Sequence, residues 1–428
     1  VVKRRFVTSE KRLRNLINKG VEIIDPASIY LGAEVDLGRI EPAVRIYPGC
    51  RIAGKRTFVG RGTKLGQDGP VAIEDCAVGN DVELRSGSFK GSVFLDRSSV
   101  GPGAQVREDC LLEEEARCGH AVGLKQTILF PFVTLGSLVN FCDCLMAGGT
   151  SRENHSEVGS SFIHFNFTPN QDKATPSLVG DVPRGVMLNQ KPIFLGGQGG
   201  LVGPASVGFG SVTAAGIIIR ADVGEDVLVT GVRQEAREVP YRAGLYPEIR
   251  RNVQNNITYI ANLFALRSWY ADVRALFLNP VILQEALGVL NESLTERIMR
   301  LKALAEKMPE SVKQLTGLGK AGIPKVARQE SEFHSAWPKI EAYLRALKES
   351  RGEGSRSEKE GRETTIQNPV DEKRRDIFLG RMIKRTGQNY LRSIQELDAE
   401  AELKGTGWLA SIIRAIEQTV LSFLPSFR

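Results

Sequence analysis

Aromatic residues make up only 7% of this 428-residue sequence, and histidine occurs four times. So few rings, beside many glycines, point to a fold that turns tightly and often. Chemistry that needs an imidazole can draw only on His120, His155, His164 and His334. No apolar run reaches the roughly 20 residues of a membrane-crossing helix, so no transmembrane segment is expected. The six cysteines are too few for a disulfide-built scaffold of this length, and no secretory signal precedes them. They predict reduced thiols in a cytoplasmic protein. A compact basic stripe with interleaved aromatics is also missing, which argues against nucleic acid as a partner. Net charge is nevertheless +7, a balance that favours anionic ligands such as phosphates or nucleotides. The chain opens on Val1 rather than methionine, which predicts further residues upstream.

What the sequence has in quantity is glycine, 44 residues of it, set within a repeat. Aliphatic positions recur every six residues: Val59, Leu65, Val71; Val100, Val106, Leu112, with Cys118 in the next slot; Leu201, Val207, Thr213, Ile219. Glycine follows many of them, as at Val59-Gly60, Leu65-Gly66, Val100-Gly101, Val158-Gly159 and Val207-Gly208. A period of six fits neither the helix nor simple strand alternation. Three short strands per coil, about 18 residues, would place every sixth side chain on one inward ladder, with glycine at the corners. The spacing predicts a left-handed parallel β-helix of hexapeptide repeats over 21–240. A β-sandwich with Gly-rich turns is the competing fold, and the sustained register argues against it.

Open solenoid ends need caps. Lys11 to Lys19 reads as a short amphipathic helix, giving an N-terminal capping helix over 1–20. From Pro247 glycine thins, and Ile249, Val253, Ile257, Ile260 and Phe264 take helical spacing up to Asn279-Pro280. Further helices are expected over 281–307 and 332–348, within a helical domain spanning 247–348. The charged stretch over 349–370 lacks large apolar residues at its start and reads as a flexible linker. A last helical pair follows at 371–403 and 407–424, within 371–428. The stripe Trp408, Ile412, Ile413, Ile416, Val420, Phe423 suits core packing better than a membrane surface, because the opposite face is of mixed charge.

Several segments carry a resemblance. They are Leu16 to Pro26 (LINKGVEIIDP), Ala104 to Asp109 (AQVRED), Gly119 to Thr127 (GHAVGLKQT) and Ser160 to Asp181 (SSFIHFNFTPNQDKATPSLVGD), then Pro192 to Pro204 and Ser211 to Arg220. Together they are similar to the acetyltransferase domain of the bifunctional enzymes that acetylate glucosamine 1-phosphate and uridylylate the product. The resemblance implies that Arg107 and Lys125 bind a sugar phosphate or nucleotide phosphate. It implies that Asn166, Phe167 and Lys173 line the sugar and acyl site, with Phe167 standing where the family has a tyrosine. Gly197, Ala214 and Arg233 fall at or near coenzyme-contact positions, so acetyl-CoA is the implied co-substrate. The family's sites are assembled from neighbouring chains, so a homotrimer is implied as well.

The departures are equally plain. The Gly-rich signature of the family's nucleotidyltransferase domain does not occur, so uridyl transfer is not carried over. The catalytic histidine has two alignments: one puts Phe141 in its place, the other uses Asn154-His155 with insertions on either side. His155, flanked by Glu153 and Glu157, is the candidate base for taking the ammonium proton, against the plainer role of a solvated loop residue. His164 either faces the ligand loop or packs in it, and His120, beside Lys125, suits the site or an ordinary coil corner equally well. Cys142 and Cys144, with one residue between them, are a weak metal signal and fit inward packing better. No metal is expected. Three zinc histidines, as in trimeric β-helical carbonic anhydrases, would need a spacing that His120, His155 and His164 lack. Two functions remain open. One is an acyltransferase on a sugar 1-phosphate or nucleotide sugar. The other is a non-catalytic sugar-nucleotide scaffold that works through its helical domain.

Overall fold

A computed structural model of the chain describes residues 10–166, 168–170, 172–231, 238, 241–317, 323–350 and 371–428. From Glu22 to Val229 the backbone winds into a parallel β-solenoid of about eleven turns, and helices follow from Ile249. The first face is an eleven-stranded parallel sheet running from Glu22–Ile23 to Leu228–Val229. The second and third faces form one sixteen-stranded sheet, because Gly123–Leu129 and Asn140–Met146 run on through the corner between them.

The sixfold aliphatic pattern is the cause of this winding. Val100 lies on the first face, Val106 on the second, Leu112 on the third, and Cys118 returns to the first face one coil later. All four are buried, as are Val59, Leu65, Val71, Leu201, Val207, Thr213 and Ile219. Residues six apart therefore occupy successive faces rather than one ladder. The inward ladders join residues a full coil apart, such as Val100 with Cys118, Leu135 and Val158. Strands of two or three residues have no independent stability. Each coil is held by its neighbours and by aliphatic burial worth about 1.5–3 kcal/mol per large side chain.

The corners need special backbone. Asp75, Asp109, Gln126 and Asp143 stack in left-handed conformations at the corner between the second and third faces. Asp suits that position because its short polar side chain tolerates it. At the corner between the first and second faces the coils approach closely, and a Cβ on Gly159 would stand 2.3 Å from the Gly197 nitrogen.

At the start of the prism, helix α1 (Glu10–Asn18) buries Leu13 and Leu16, and Arg12 donates to the Gly32 carbonyl at 2.9 Å. The third face is covered in cis. Residues inserted between coils form the short helix α2 (Val182–Gly185). Beyond the solenoid come α3 (Ile249–Asp272), α4 (Pro280–Thr316) and α5 (Ile323–Ser350). Helices α6 (Glu372–Ile383), α7 (Tyr390–Gln395) and α8 (Ala399–Ser422) complete the set. Helix α4 packs on Ala77–Val78 and Val93–Phe94, and α3 on Ser177–Val179, all strands of the third face.

Helix ends differ from the spacing-based expectation where packing overrides local preference. Helix α4 starts as expected, with Pro280 in its first turn and the Asn279 side chain accepting from the Val281 nitrogen at 2.9 Å. It then continues past Lys307 and through Pro309, because Met308, Ser311 and Leu315 are buried on either side of that proline. Helix α5 begins earlier than expected and likewise contains Pro338, between the buried Trp337 and Ile340. The expected terminal pair is three helices. Gly405 and Gly407 lie inside α8, and a Cβ on Gly405 would stand 2.6 Å from Met187 Cε, so glycine lets α8 sit close to the solenoid's insertion. Trp408, Ile412, Ile416 and Val420 are buried, with Ile413 and Phe423 packed against them, so the stripe is core. Glu349 and Ser350, expected to open the flexible linker, instead close α5, and the rest of that charged stretch, 351–370, lies outside the described residues.

Candidate functional site

Arg107 and Lys125 stand on adjacent coils near the corner between the second and third faces. The register pairs Val106 with Leu124, and the Arg107 nitrogen donates to the Leu124 carbonyl at 2.8 Å. One coil further, Lys125 pairs with Cys142. Lys173 joins them from the segment inserted after the second-face strand Ile163–Phe165. The half-buried Cys142 thiol records the cluster. Burial, the largest effect, and Asp143 push its pKa up, while Arg107, Lys125 and Lys173 each pull it down. Among the described residues, none of these three cations has an ion-pair partner.

Asn166 reaches the same corner through Asp143, whose Oδ2 accepts from Asn166 Nδ2 at 3.1 Å. Asp143 is itself fixed from the helical side, where Arg297 of α4 donates to its Oδ1 at 2.8 Å and to Gln126 Oε1 at 3.0 Å. Arg297 is 2% exposed and Asp143 is 5% exposed, so the pair is desolvated. Asp109, one coil below Gln126, has its carboxyl pushed up by burial and partly restored by the Gln126 side chain. Of the sequence-based substrate residues, the structure thus gathers Arg107, Lys125, Asn166 and Lys173. Phe167 lies outside the described residues, as does Arg233.

His155 sits elsewhere on the same chain. Its loop, 147–156, leaves the prism where the third face turns into the first, between Met146 and the strand Glu157–Val158. His155 Nδ1 lies 2.7 Å from the Arg152 carbonyl, and Nε2 lies 3.8 Å from Glu157 Oε2. The loop is pinned on both sides. Arg152 donates to Thr134 Oγ1 at 2.9 Å, and Gln395 of α7 donates to the Thr150 carbonyl at 2.6 Å. His164 is a core residue. Its Nδ1 contacts the Cys142 carbonyl, its Nε2 lies 2.8 Å from Ser177 Oγ, and burial pushes its pKa down to about 4. Phe141, the alternative position for a histidine, is fully buried against Phe162. Cys144 is buried, whereas Cys142 is half-exposed.

A second gathering of polar groups escaped the sequence reading. A groove of about 820 Å³ on the first face is lined by Arg85, Arg97, Arg117, His120 and Ser137 among others. His120 Nδ1 lies 2.6 Å from Ser137 Oγ, and the Ser137 nitrogen donates to Ser160 Oγ at 3.2 Å. The column continues to Gly197 and Ala214, where the Gln198 nitrogen donates to the Ser160 carbonyl at 2.8 Å and Gly216 to the Gly197 carbonyl at 2.9 Å. The two expected coenzyme positions therefore share one corner with the His120–Ser137 pair. The clue available in the sequence was the coil spacing between the two residues, which places both just past a first-face strand.

No family model matches the chain. Comparison with curated proteins gives a different result. Half of this chain is homologous to the bifunctional protein GlmU. GlmU of Thermotoga maritima is 30% identical over 214 residues, which is 50% of this chain and 42% of that protein. GlmU of Fervidobacterium nodosum is 30% identical over 237 residues, 54% of this chain and 46% of its own. GlmU of a Geobacillus species is 29% identical over 233 residues, again 54% and 46%. The chain thus spans less than half the length of these GlmU relatives. Among solved structures, the polySia-specific acetyltransferase NeuO aligns with 50% of this chain and 83% of its own at 12% identity. Its TM-score of 0.15 is too low for that alignment to carry an argument. No described helix is long and apolar enough to cross a membrane.

Proposed function

We propose that this chain is an acyltransferase that acylates the amine of a sugar 1-phosphate or nucleotide sugar, with acetyl-CoA as donor. The observation that carries this reading is the corner where Arg107, Lys125 and Lys173 all act on Cys142 and none forms an ion pair among the described residues. Like charges repel, and a bound phosphate would turn that cost into charge-assisted hydrogen bonds. Similarity to GlmU agrees with the sequence resemblance to sugar-phosphate acetyltransferases.

In this reading Arg107 and Lys125 hold the phosphate, while Asn166, Phe167 and Lys173 line the sugar and the acyl end. Gly197, Ala214 and Arg233 meet the coenzyme. The substrate amine loses a proton to a base and attacks the thioester carbonyl. A C–N bond forms, the C–S bond breaks, and coenzyme A leaves as the protonated thiol. His155 is the base of this scheme. Because it lies on another corner of its own prism, it serves the cations of a neighbouring copy in a cytoplasmic homotrimer. His120, held by Ser137, is the competing base.

The test is coenzyme A release from acetyl-CoA with a panel of amino-sugar phosphates. Arg107→Ala or Lys125→Ala raises the acceptor KM roughly tenfold or more, the scale of one lost charge-assisted hydrogen bond. Turnover unchanged by His155→Ala but abolished by His120→Ala moves the base to the groove. A folded protein that neither turns over nor binds any of these sugars sinks the reading. The second reading, a non-catalytic scaffold, draws on the hold that the helical half has on Asn166. Retained nucleotide-sugar binding with no turnover favours it.

A further inference from the structure

The segment that presents Asn166 and Lys173 is held almost entirely by residues beyond the solenoid. Asn170 is gripped three ways: its side chain accepts from the Gly244 nitrogen at 2.8 Å and donates to the Leu245 carbonyl at 3.0 Å, and its carbonyl accepts from Lys307 Nζ at 2.8 Å. Asn256 Nδ2 of α3 donates to the Ala174 carbonyl at 2.9 Å. Arg297 donates to the Lys173 carbonyl at 3.3 Å, besides its bonds to Gln126 and Asp143. One guanidinium therefore ties the backbone at Lys173, the corner residues of two coils and, through Asp143, the Asn166 side chain.

Such an arrangement is more than helix docking. Arg297 could be replaced by an apolar residue if only packing were required, since buried ion pairs are seldom the most stable choice. Its donors are instead spent on the two segments that flank the cation cluster. We propose that Arg297 is a positioning residue of the acceptor site, so that the anionic sugar is recognised only by a solenoid whose helical half is in place. This rests on the function proposed above. Arg297 contacts no substrate in this view; it sets the separation of Asn166 and Lys173 from Arg107 and Lys125. A rigidly held site loses little entropy on binding, and a 1 Å error in placement is costly.

The test uses the full chain and glucosamine 1-phosphate as the probe. Titration calorimetry gives its affinity, and hydrogen exchange reports on the amides over 168–174. Arg297→Gln is expected to weaken binding tenfold or more and to speed exchange in that segment tenfold or more. Arg297→Lys recovers part of both. Because a lone buried Asp143 could unfold the protein, the pair Arg297→Met with Asp143→Asn is measured alongside and shows the same two losses in a folded chain. Variants that bind as wild type does overturn the role of Arg297 and leave the proposed function standing. Weakened binding with unchanged exchange also overturns it, since the segment was then never displaced. Wild-type protein that fails to bind the probe overturns the function and this role together.

Discussion

Arg274, just past α3, lies 2.5 Å from Glu114 of the solenoid, with side-chain exposures of 0% and 8%. The guanidinium also covers the Tyr390 ring at 3.7 Å, and Tyr270 donates beside it to Glu113. This cluster fastens the helices to the prism at the corner between the third and first faces. Arg274→Ala leaves Glu114 buried without its partner and should cost about 3–5 kcal/mol, read as a lower urea midpoint. Arg274→Met with Glu114→Leu should recover most of that loss. If the single variant unfolds like wild type, the cluster does not fasten the halves.

His164 makes a prediction about pH. Burial holds its folded pKa near 4, below the ordinary 6.5, with Asp143 raising it and Arg297 lowering it. Between those values the unfolded chain takes up a proton that the fold refuses. The contribution is therefore complete above about pH 6.5 and is lost as pH falls toward 4, on the order of 3 kcal/mol in all. Comparing urea unfolding at pH 7 and pH 4.5 for wild type and His164→Asn isolates the effect. An equal loss of stability between the two pH values in both proteins would mean that the imidazole is not shut in as described.

Phe141 gives a third prediction. It packs edge-on against Phe162 at 6.1 Å and is fully buried. Phe141→Ala should destabilise the solenoid by about 3–5 kcal/mol through the cavity left behind. Phe141→His places an imidazole in the core and should gain no transferase activity. Any activity gained by that variant would restore the alignment that puts the catalytic position there.

Gly159 supplies a fourth. Its missing Cβ leaves room for the Gly197 backbone. Gly159→Ala should force the two coils apart and cost about 1–3 kcal/mol, the usual penalty for overpacking. Thermal unfolding checks it, and a midpoint matching wild type shows that the coils can yield.

The prism was legible because its register is local. Val100, Val106, Leu112 and Cys118 each announce the next face within six residues, and solenoid coils contact only their neighbours. The pairing of Arg107 with Lys125 came from the family resemblance, and their separation of one coil is what brings them to one corner. Long-range contacts were not legible. Nothing near Arg297 in sequence signals that it reaches Asp143, and the end of α4 shifted because burial of Met308, Ser311 and Leu315 outweighed Pro309. His120 was not separable from a corner residue because its partner Ser137 shows up only once consecutive coils are stacked.

The grip on Asn170 has a consequence for biosynthesis. Coils need only the coil before them, so the prism can close while the chain is still being translated. The residues that clasp Asn170 and Ala174, from Gly244 to Lys307, emerge from the ribosome afterwards. On the proposed function, the acceptor segment therefore takes its fixed form only after the prism that carries Arg107 and Lys125 has been made.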